Sequence, residues 1–263
     1  MEEGAIAPVP EDNKNSVKYT TDLIVVLDLD ETLYRVPRSQ EELDTFLRQG
    51  LEQEEHGVNH GILGVEWKTV SSEKRVMPIK LRPGVLSFLK ETALTRRYEM
   101  HIFTAGRSHG IGNKAVDALS KSVVGSADAQ ERGCSSSDLF AGRWFLEDCE
   151  DFGGLGFWYC KPLKKIVRAS QAAVGHGSAE KDDDDDDDSL LKRVVIVDDR
   201  SDSYFLNKSN GIPVREFVGD TEDGHDDDLT FERLSELLRT LESVDDVRPV
   251  LKAMFEEKKR EFL

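Results

Sequence analysis

Apolar residues in this chain gather into a few short runs separated by charged or turn-forming segments. The clearest is Leu23-Ile24-Val25-Val26-Leu27. β-branched residues in an unbroken run suit a strand buried on both faces, as in a parallel sheet. This pattern predicts a strand over about 21–28. Met100 to Phe103 and Arg193 to Val197 read the same way. Each run stops at a polar residue: Asp28, Thr104 and Asp198.

Between the strands the spacing turns helical. From Pro37 to Gly57 the positions Leu43, Phe46, Leu47 and Leu51 form an apolar stripe, with Ser39 as cap and Glu42 three residues on. Ile62 to Val70 and Arg75 to Leu81 predict a hairpin around Ser71-Ser72-Glu73-Lys74. Arg82-Pro83-Gly84 opens a helix through about Thr92, because Pro is tolerated in a first turn. Further helices are expected around Ala115 to Leu119, Leu163 to Ala169, Leu229 to Leu241 and Val247 to Phe262, and a short strand at Ile212 to Val214. Strands alternating with helices imply an α/β fold with a Rossmann-like parallel sheet flanked by helices. The Gly- and Ser-rich stretch of about 125–158, with Trp144-Phe145-Leu146 inside it, predicts a small insertion of short strands and loops. Residues 1–18 lack periodicity and predict a flexible lead-in, so the domain is expected over 19–263.

Charge adds a constraint. The chain has 263 residues and a net charge of −17, seven of it from Asp182 to Asp188. Such a run repels itself, so residues 170–189 are expected to form a disordered acidic loop. An acidic surface disfavours direct nucleic-acid binding. It also means that a phosphorylated substrate needs a locally cationic or metal-bearing groove. Cys134, Cys149 and Cys160 are odd in number and form no Cys-x-x-Cys pair, as expected for reduced thiols. No run reaches the ~18 apolar residues of a membrane span. The acidic Met1-Glu2-Glu3 start does not resemble a secretory signal or a presequence. A soluble nuclear or cytoplasmic protein, monomeric and without membrane contact, is the expectation.

The chemistry sits where the strands end. Asp28 and Asp30 follow the first apolar run, and two residues apart on an extended chain their side chains point the same way. Unpaired buried carboxylates cost several kcal/mol each, roughly, so a partner cation is required. Oxygen-only donors suit a hard ion such as Mg²⁺. In an open parallel sheet, ligands bind at this carboxyl end.

Asp28-Leu29-Asp30-Glu31-Thr32-Leu33 resembles the first motif of the haloacid dehalogenase superfamily. It is similar in particular to the small phosphatases acting on the RNA polymerase II C-terminal domain. The resemblance covers most of 20–255 and implies a Mg²⁺-dependent phosphoserine or phosphothreonine phosphatase. It implies Asp28 as nucleophile, forming an aspartyl-phosphate, and Asp30 as general acid and base. Thr104 and Ala105 match the second motif and Lys161 the third, all three as phosphoryl-binding residues, with Thr32 beside them. Asp198 and Asp199 match the fourth. Metal ligation is implied for Asp28, Asp199 and the backbone carbonyl of Asp30, and a supporting role for Asp198. The expected partner is a phosphorylated protein or peptide, possible substrates including one like the polymerase tail.

Departures from the pattern are local. Tyr159-Cys160-Lys161-Pro162-Leu163 replaces the usual Tyr-Val-Lys-Asp-Leu, and Asp199-Arg200-Ser201 lacks the usual Pro. Gly110 stands where the small enzymes carry a substrate-holding Tyr, and Leu146 where they carry an Arg. The chemistry is therefore expected to be retained, with heptad-repeat specificity open. Two alternatives stay open as well: a weakly catalytic peptide-binding adaptor of the same fold, and a small-molecule phosphatase of the superfamily.

Overall fold

The computed structural model describes residues 19–56, 61–68, 74–125, 139–152, 159–173, 187–219 and 228–257. The lead-in of 1–18, residues 126–138 and 153–158 of the expected insertion, and Asp182 to Asp186 of the acidic run lie outside the described residues. In chain order the elements are β1 (Ile24–Leu27), β2 (Tyr34–Arg35), α1 (Gln40–His56), β3 (Ile62–Lys68), β4 (Lys74–Leu81), α2 (Val85–Thr95), β5 (Glu99–Phe103), α3 (Ile111–Val124) and β6 (Gly142–Trp144). They continue with β7 (Glu150–Asp151), β8 (Tyr159–Cys160), α4 (Leu163–Ala173), α5 (Asp187–Leu190), β9 (Val194–Asp198), β10 (Gly211–Pro213), α6 (Thr230–Leu241) and α7 (Val247–Leu251).

The central sheet runs β10-β9-β1-β5-β6, every pair parallel. Its register fixes the site. Leu27 pairs with Ile102 on one side and Val197 on the other, so the strands end level with one another. Asp28 and Asp198 therefore emerge side by side, with Thr104 one residue beyond.

The unbroken apolar runs are explained by two buried faces. Val25, Leu27, Met100, Ile102, Val195 and Val197 point into one core, with Phe88 and Leu89 of α2, Leu119 of α3 and Leu234 and Leu238 of α6. Ile24, Val26, Phe103, Val194 and Ile196 point into a second core beneath Leu163, Ile166 and Val167 of α4. Burying each such side chain contributes roughly 1.5–3 kcal/mol.

The predicted hairpin forms: β3 and β4 pair antiparallel, β2 adds to β4, and Val65, Ile79 and Leu81 pin it to the first core. Its turn lies outside the described residues. Ser39 caps α1 as expected, its hydroxyl accepting the Glu42 N–H at 3.2 Å. Glu42 does not complete a capping box; its carboxylate takes the Arg38 N–H at 2.6 Å and the Arg35 guanidinium at 2.7 Å.

Gly142–Trp144, inside the stretch read as an insertion, is an edge strand of the central sheet itself. A Cβ on Gly142 would meet His101 Nδ1 at 2.6 Å, so only glycine lets this strand approach β5. The Trp144 indole N–H then donates to His101 Nδ1 at 3.3 Å.

Candidate active site

A tight turn follows β1. The Leu29 carbonyl accepts the Leu33 N–H at 2.8 Å, and Glu31 sits at φ 59°, in the left-handed region that non-glycine residues rarely occupy. Two bonds hold it there: the Glu31 N–H donates to the Tyr34 carbonyl at 2.8 Å, and the Phe217 N–H donates to the Glu31 carbonyl at 2.7 Å. With the chain reversed so sharply, Asp28 and Asp30 both face one cavity of about 380 Å³.

Lys161 enters from the segment after β8. Its backbone N–H donates to the Ser203 carbonyl at 2.7 Å, which sets the height of the side chain. The ammonium is buried between two carboxylates, 2.5 Å from Asp28 Oδ1 and 2.7 Å from Asp198 Oδ2. Asp198 is further held by the Ser203 hydroxyl at 2.6 Å and the Arg200 N–H at 2.8 Å. Across the cavity the Thr104 hydroxyl donates to Asp30 Oδ2 at 3.1 Å and accepts the Gly106 N–H at 2.9 Å. Ala105 and Gly106 also line the cavity, as do Glu31, Tyr159, Arg200, Asp202, Ser203 and Phe205.

The charges do not balance. Asp28, Asp198 and Asp199 bring an oxygen each to within 4.8 Å of one another. Lys161 is the cation buried among them. Burial, more than anything else, drives the Asp28 carboxyl well above its usual range; Lys161 opposes this, and Asp198 and Asp30 reinforce it. Burial also lifts Asp199, with Asp198 adding, to about 6. Burial alone pulls the Lys161 ammonium downward, but Asp198 and Asp28 together outweigh it and keep it charged. A buried, oxygen-only donor set with excess negative charge fits a hard divalent cation such as Mg²⁺.

Asp28, Asp30, Thr104, Ala105, Lys161, Asp198 and Asp199 thus meet in one cavity. Thr32 differs. It was expected to bind substrate, yet it is buried and does not line the cavity. Its hydroxyl accepts the Asp199 N–H and donates to Asp199 Oδ1, both at 3.2 Å. The turn that exposes Asp30 carries Thr32 inward, so it positions Asp199 instead. Gly110 precedes the first turn of α3, and the Leu146 N–H donates to the Gly106 carbonyl at 2.8 Å, so both residues border the Thr104–Gly110 loop.

Two contributors escaped sequence reasoning. Ser203 carries no motif signal, because its part depends on the fold bringing residues 198 and 203 to Lys161. Arg82 reads only as a helix lead-in. It is buried, donating to the Thr32 and Arg215 carbonyls at 3.3 and 2.8 Å and pairing with Asp228 at 2.8 Å, and it braces the turn from behind.

A parallel α/β sheet thus gathers four aspartates, a threonine and one buried lysine in one cavity beyond its strand ends, an arrangement suited to phosphoryl chemistry. The chain belongs to the NLI interacting factor-like phosphatase family, whose model matches residues 23–248. That range holds every residue of the cavity. Among solved structures, the chain is similar to the RNA polymerase II CTD phosphatase Fcp1 of fission yeast, in a variant bound to beryllium fluoride, at 18% identity and a TM-score of 0.43. That alignment covers 92% of this chain and 57% of that one. A second structure of Fcp1, an essential RNA polymerase II CTD phosphatase, aligns at 18% identity and a TM-score of 0.41, over 89% of this chain and 54% of that one. The chain thus spans little more than half the length of both. No curated protein sequence matches it.

Proposed function

We propose that this chain is a Mg²⁺-dependent phosphoprotein phosphatase acting on phosphoserine or phosphothreonine through an aspartyl-phosphate. The observation that carries this reading is the Lys161 ammonium held 2.5 Å from Asp28, with Asp30 facing the same cavity. Asp28 is the nucleophile: its oxygen bonds to phosphorus as the bond from phosphorus to the substrate oxygen breaks. Asp30 gives that leaving oxygen its proton. In the second half Asp30 takes a proton from water, whose oxygen attacks phosphorus and frees Asp28 and phosphate. One carboxyl serves both steps because the second runs the proton transfer in reverse.

Lys161 offsets the phosphoryl charge throughout. The Thr104 hydroxyl, now spent on Asp30, turns to a phosphoryl oxygen when substrate enters. Ala105 and Gly106 border the same phosphoryl position. When bound, Mg²⁺ would be held by Asp28, Asp199 and the Asp30 carbonyl and would supply the remaining positive charge. Asp198 orients Lys161, and Thr32 orients Asp199.

A phosphoprotein substrate suits the small cavity, about 380 Å³, which admits a phosphorylated side chain while its bearer lies outside. No helix among the described residues is long and apolar enough to cross a membrane. A nuclear or cytoplasmic, monomeric enzyme is part of the proposal.

Hydrolysis of an aryl phosphate tests it. Turnover should require Mg²⁺ and fall by at least about 10⁴ in Asp28→Asn. Wild-type protein without turnover in Mg²⁺ would leave the adaptor reading. Preference for phosphosugars over phosphopeptides would leave the small-molecule reading.

A further inference from the structure

A second concavity, about 690 Å³, lies between the β3–β4 hairpin and α3. Nothing in the chemistry above uses it. It is lined by Lys74 from the hairpin, by Lys114 and Lys121 from α3, and by His109. Lys114, Asp117 and Lys121 are spaced i, i+3, i+7, so they form one stripe along the helix. The acids that share the groove are Glu66 and Asp117. Asp117 is already held by Arg143 at 2.6 Å, with Lys114 3.9 Å away. Among the described residues Lys74 and Lys121 have no ion-pair partner. On a chain of net charge −17, this is a strip of net positive charge.

Its position relates it to the active site. The loop Thr104–Gly110 has one end on each: Thr104 to Gly106 line the catalytic cavity, and His109 and Gly110 line the groove. From Gly106 to Gly110 is four residues, a span of at most ~14 Å. An extended peptide covers that distance in about four residues of its own, which brings it to the near end of the groove at Gly110 and Lys114, with Lys121 two turns farther along α3. Arg107, exposed on the same loop, lies along the way.

Resting on the phosphoprotein reading, we propose that this groove is a specificity subsite. It takes acidic side chains, or a second phosphate, placed within about four residues of the phosphoserine being hydrolysed. The preferred substrates are then acidic or multiply phosphorylated peptides. The catalytic cavity selects the scissile phosphate, and the groove selects its surroundings.

The test compares phosphopeptides of one core sequence. They carry three Glu, three Ala or three Lys at two to four residues on either side of the phosphoserine. For each, kcat/KM is divided by that for an aryl phosphate, which is too small to reach the groove. Wild type should favour the Glu series about tenfold over Ala on one of the two sides, with Lys lowest. The preference should shrink as salt is raised. In Lys114→Glu/Lys121→Glu the ratio for the Glu series should fall about tenfold, through KM. Lys114→Arg/Lys121→Arg should restore it.

Binding of the same peptides, followed by fluorescence anisotropy, separates this proposal from the one beneath it. If no peptide or aryl phosphate is hydrolysed but Glu peptides still bind better, and Lys114→Glu/Lys121→Glu removes the difference, the phosphatase reading fails and the groove stands. Wild type indifferent to Glu, Ala and Lys, in turnover and in binding, overturns the groove. So does a double variant that keeps the preference. An oligonucleotide competing as well as a Glu peptide of equal charge overturns the assignment to acidic peptides.

Discussion

The two ends of the same parallel strands use similar residues to opposite effect. At the amino end, Arg97 before β5 grips Glu242 at 2.5 and 2.9 Å, and the Tyr98 hydroxyl donates to the same carboxylate. Arg193 before β9 holds Asp22 before β1 at 2.7 Å and donates to the Leu241 carbonyl at 2.7 Å. Each acid there has its own cation, near solvent. The Arg97 hydrogen bonds hold Glu242 below its ordinary range. At the carboxyl end, three clustered carboxylates share one buried lysine, which pairs with Asp28 and Asp198 only, and burial holds Asp28 and Asp199 above their ordinary range. The matched end ties the sheet to α6. The mismatched end is left needing a cation and a phosphate. The proposed reactivity rests on charge that the fold assembles and does not neutralise.

The sharpest way to break that contrast is Lys161→Met. Asp28 and Asp198 then face each other with no cation. Losing one partner of a buried pair costs about 3–5 kcal/mol. Urea unfolding without divalent cation should show a loss of that size, and Mg²⁺ should restore part of it while turnover stays undetectable. A variant as stable as wild type would mean that the lysine does not compensate the carboxylates.

Asp30→Asn comes next. In the proposed mechanism its carboxylate transfers the proton while its backbone carbonyl would serve the metal, so the two roles separate. Mg²⁺ should still raise the melting temperature, while turnover falls by roughly 10²–10⁴. Unchanged turnover would remove Asp30 as proton shuttle.

The smallest effect belongs to the matched end. Glu242→Gln should lower stability by about 1 kcal/mol at neutral pH, with aryl-phosphate turnover unchanged. The sign follows from linkage. The folded-state pKa lies below the unfolded one, so the stabilisation is present above the usual glutamate range, about 4.3, and is lost as pH falls through the folded value. The gap between wild type and variant, read from melting curves, should therefore close below about pH 4. A gap that persists in acid would mean packing, not charge, supplies the stability.

Much of this was legible in the chain because both signals are local. Asp28, Thr104 and Asp198 each close a run that must be buried on two faces, and a parallel register then brings them together. Lys161 was reached through motif resemblance, since nothing in its neighbours Lys164 and Lys165 marks it as the buried one. What was illegible depends on tertiary placement. Gly142-Arg143-Trp144 has no strand pattern and is recruited by β5. Thr32 points inward after the reversal at Glu31, whose φ is 59°. The apolar stripe of α1 predicted the helix but not its burial: Phe46 is buried, while Leu47 and Leu51 stay exposed. The run Val247 to Phe262, expected as one helix, is α-helical over Val247–Leu251 and widens to a π-turn at Lys252–Glu257, with its remainder outside the described residues.

The central claim is that the mismatched strand ends make Asp28 a nucleophile toward phosphorus. Rapid acid quenching during aryl-phosphate turnover, followed by tritiated borohydride, tests it most directly, because borohydride reduces an acyl phosphate but not a free carboxylate. The account predicts label in the peptide containing Asp28, dependent on both Mg²⁺ and substrate and absent in Asp28→Asn. Turnover without label at Asp28, or label mapped to another residue, would contradict it.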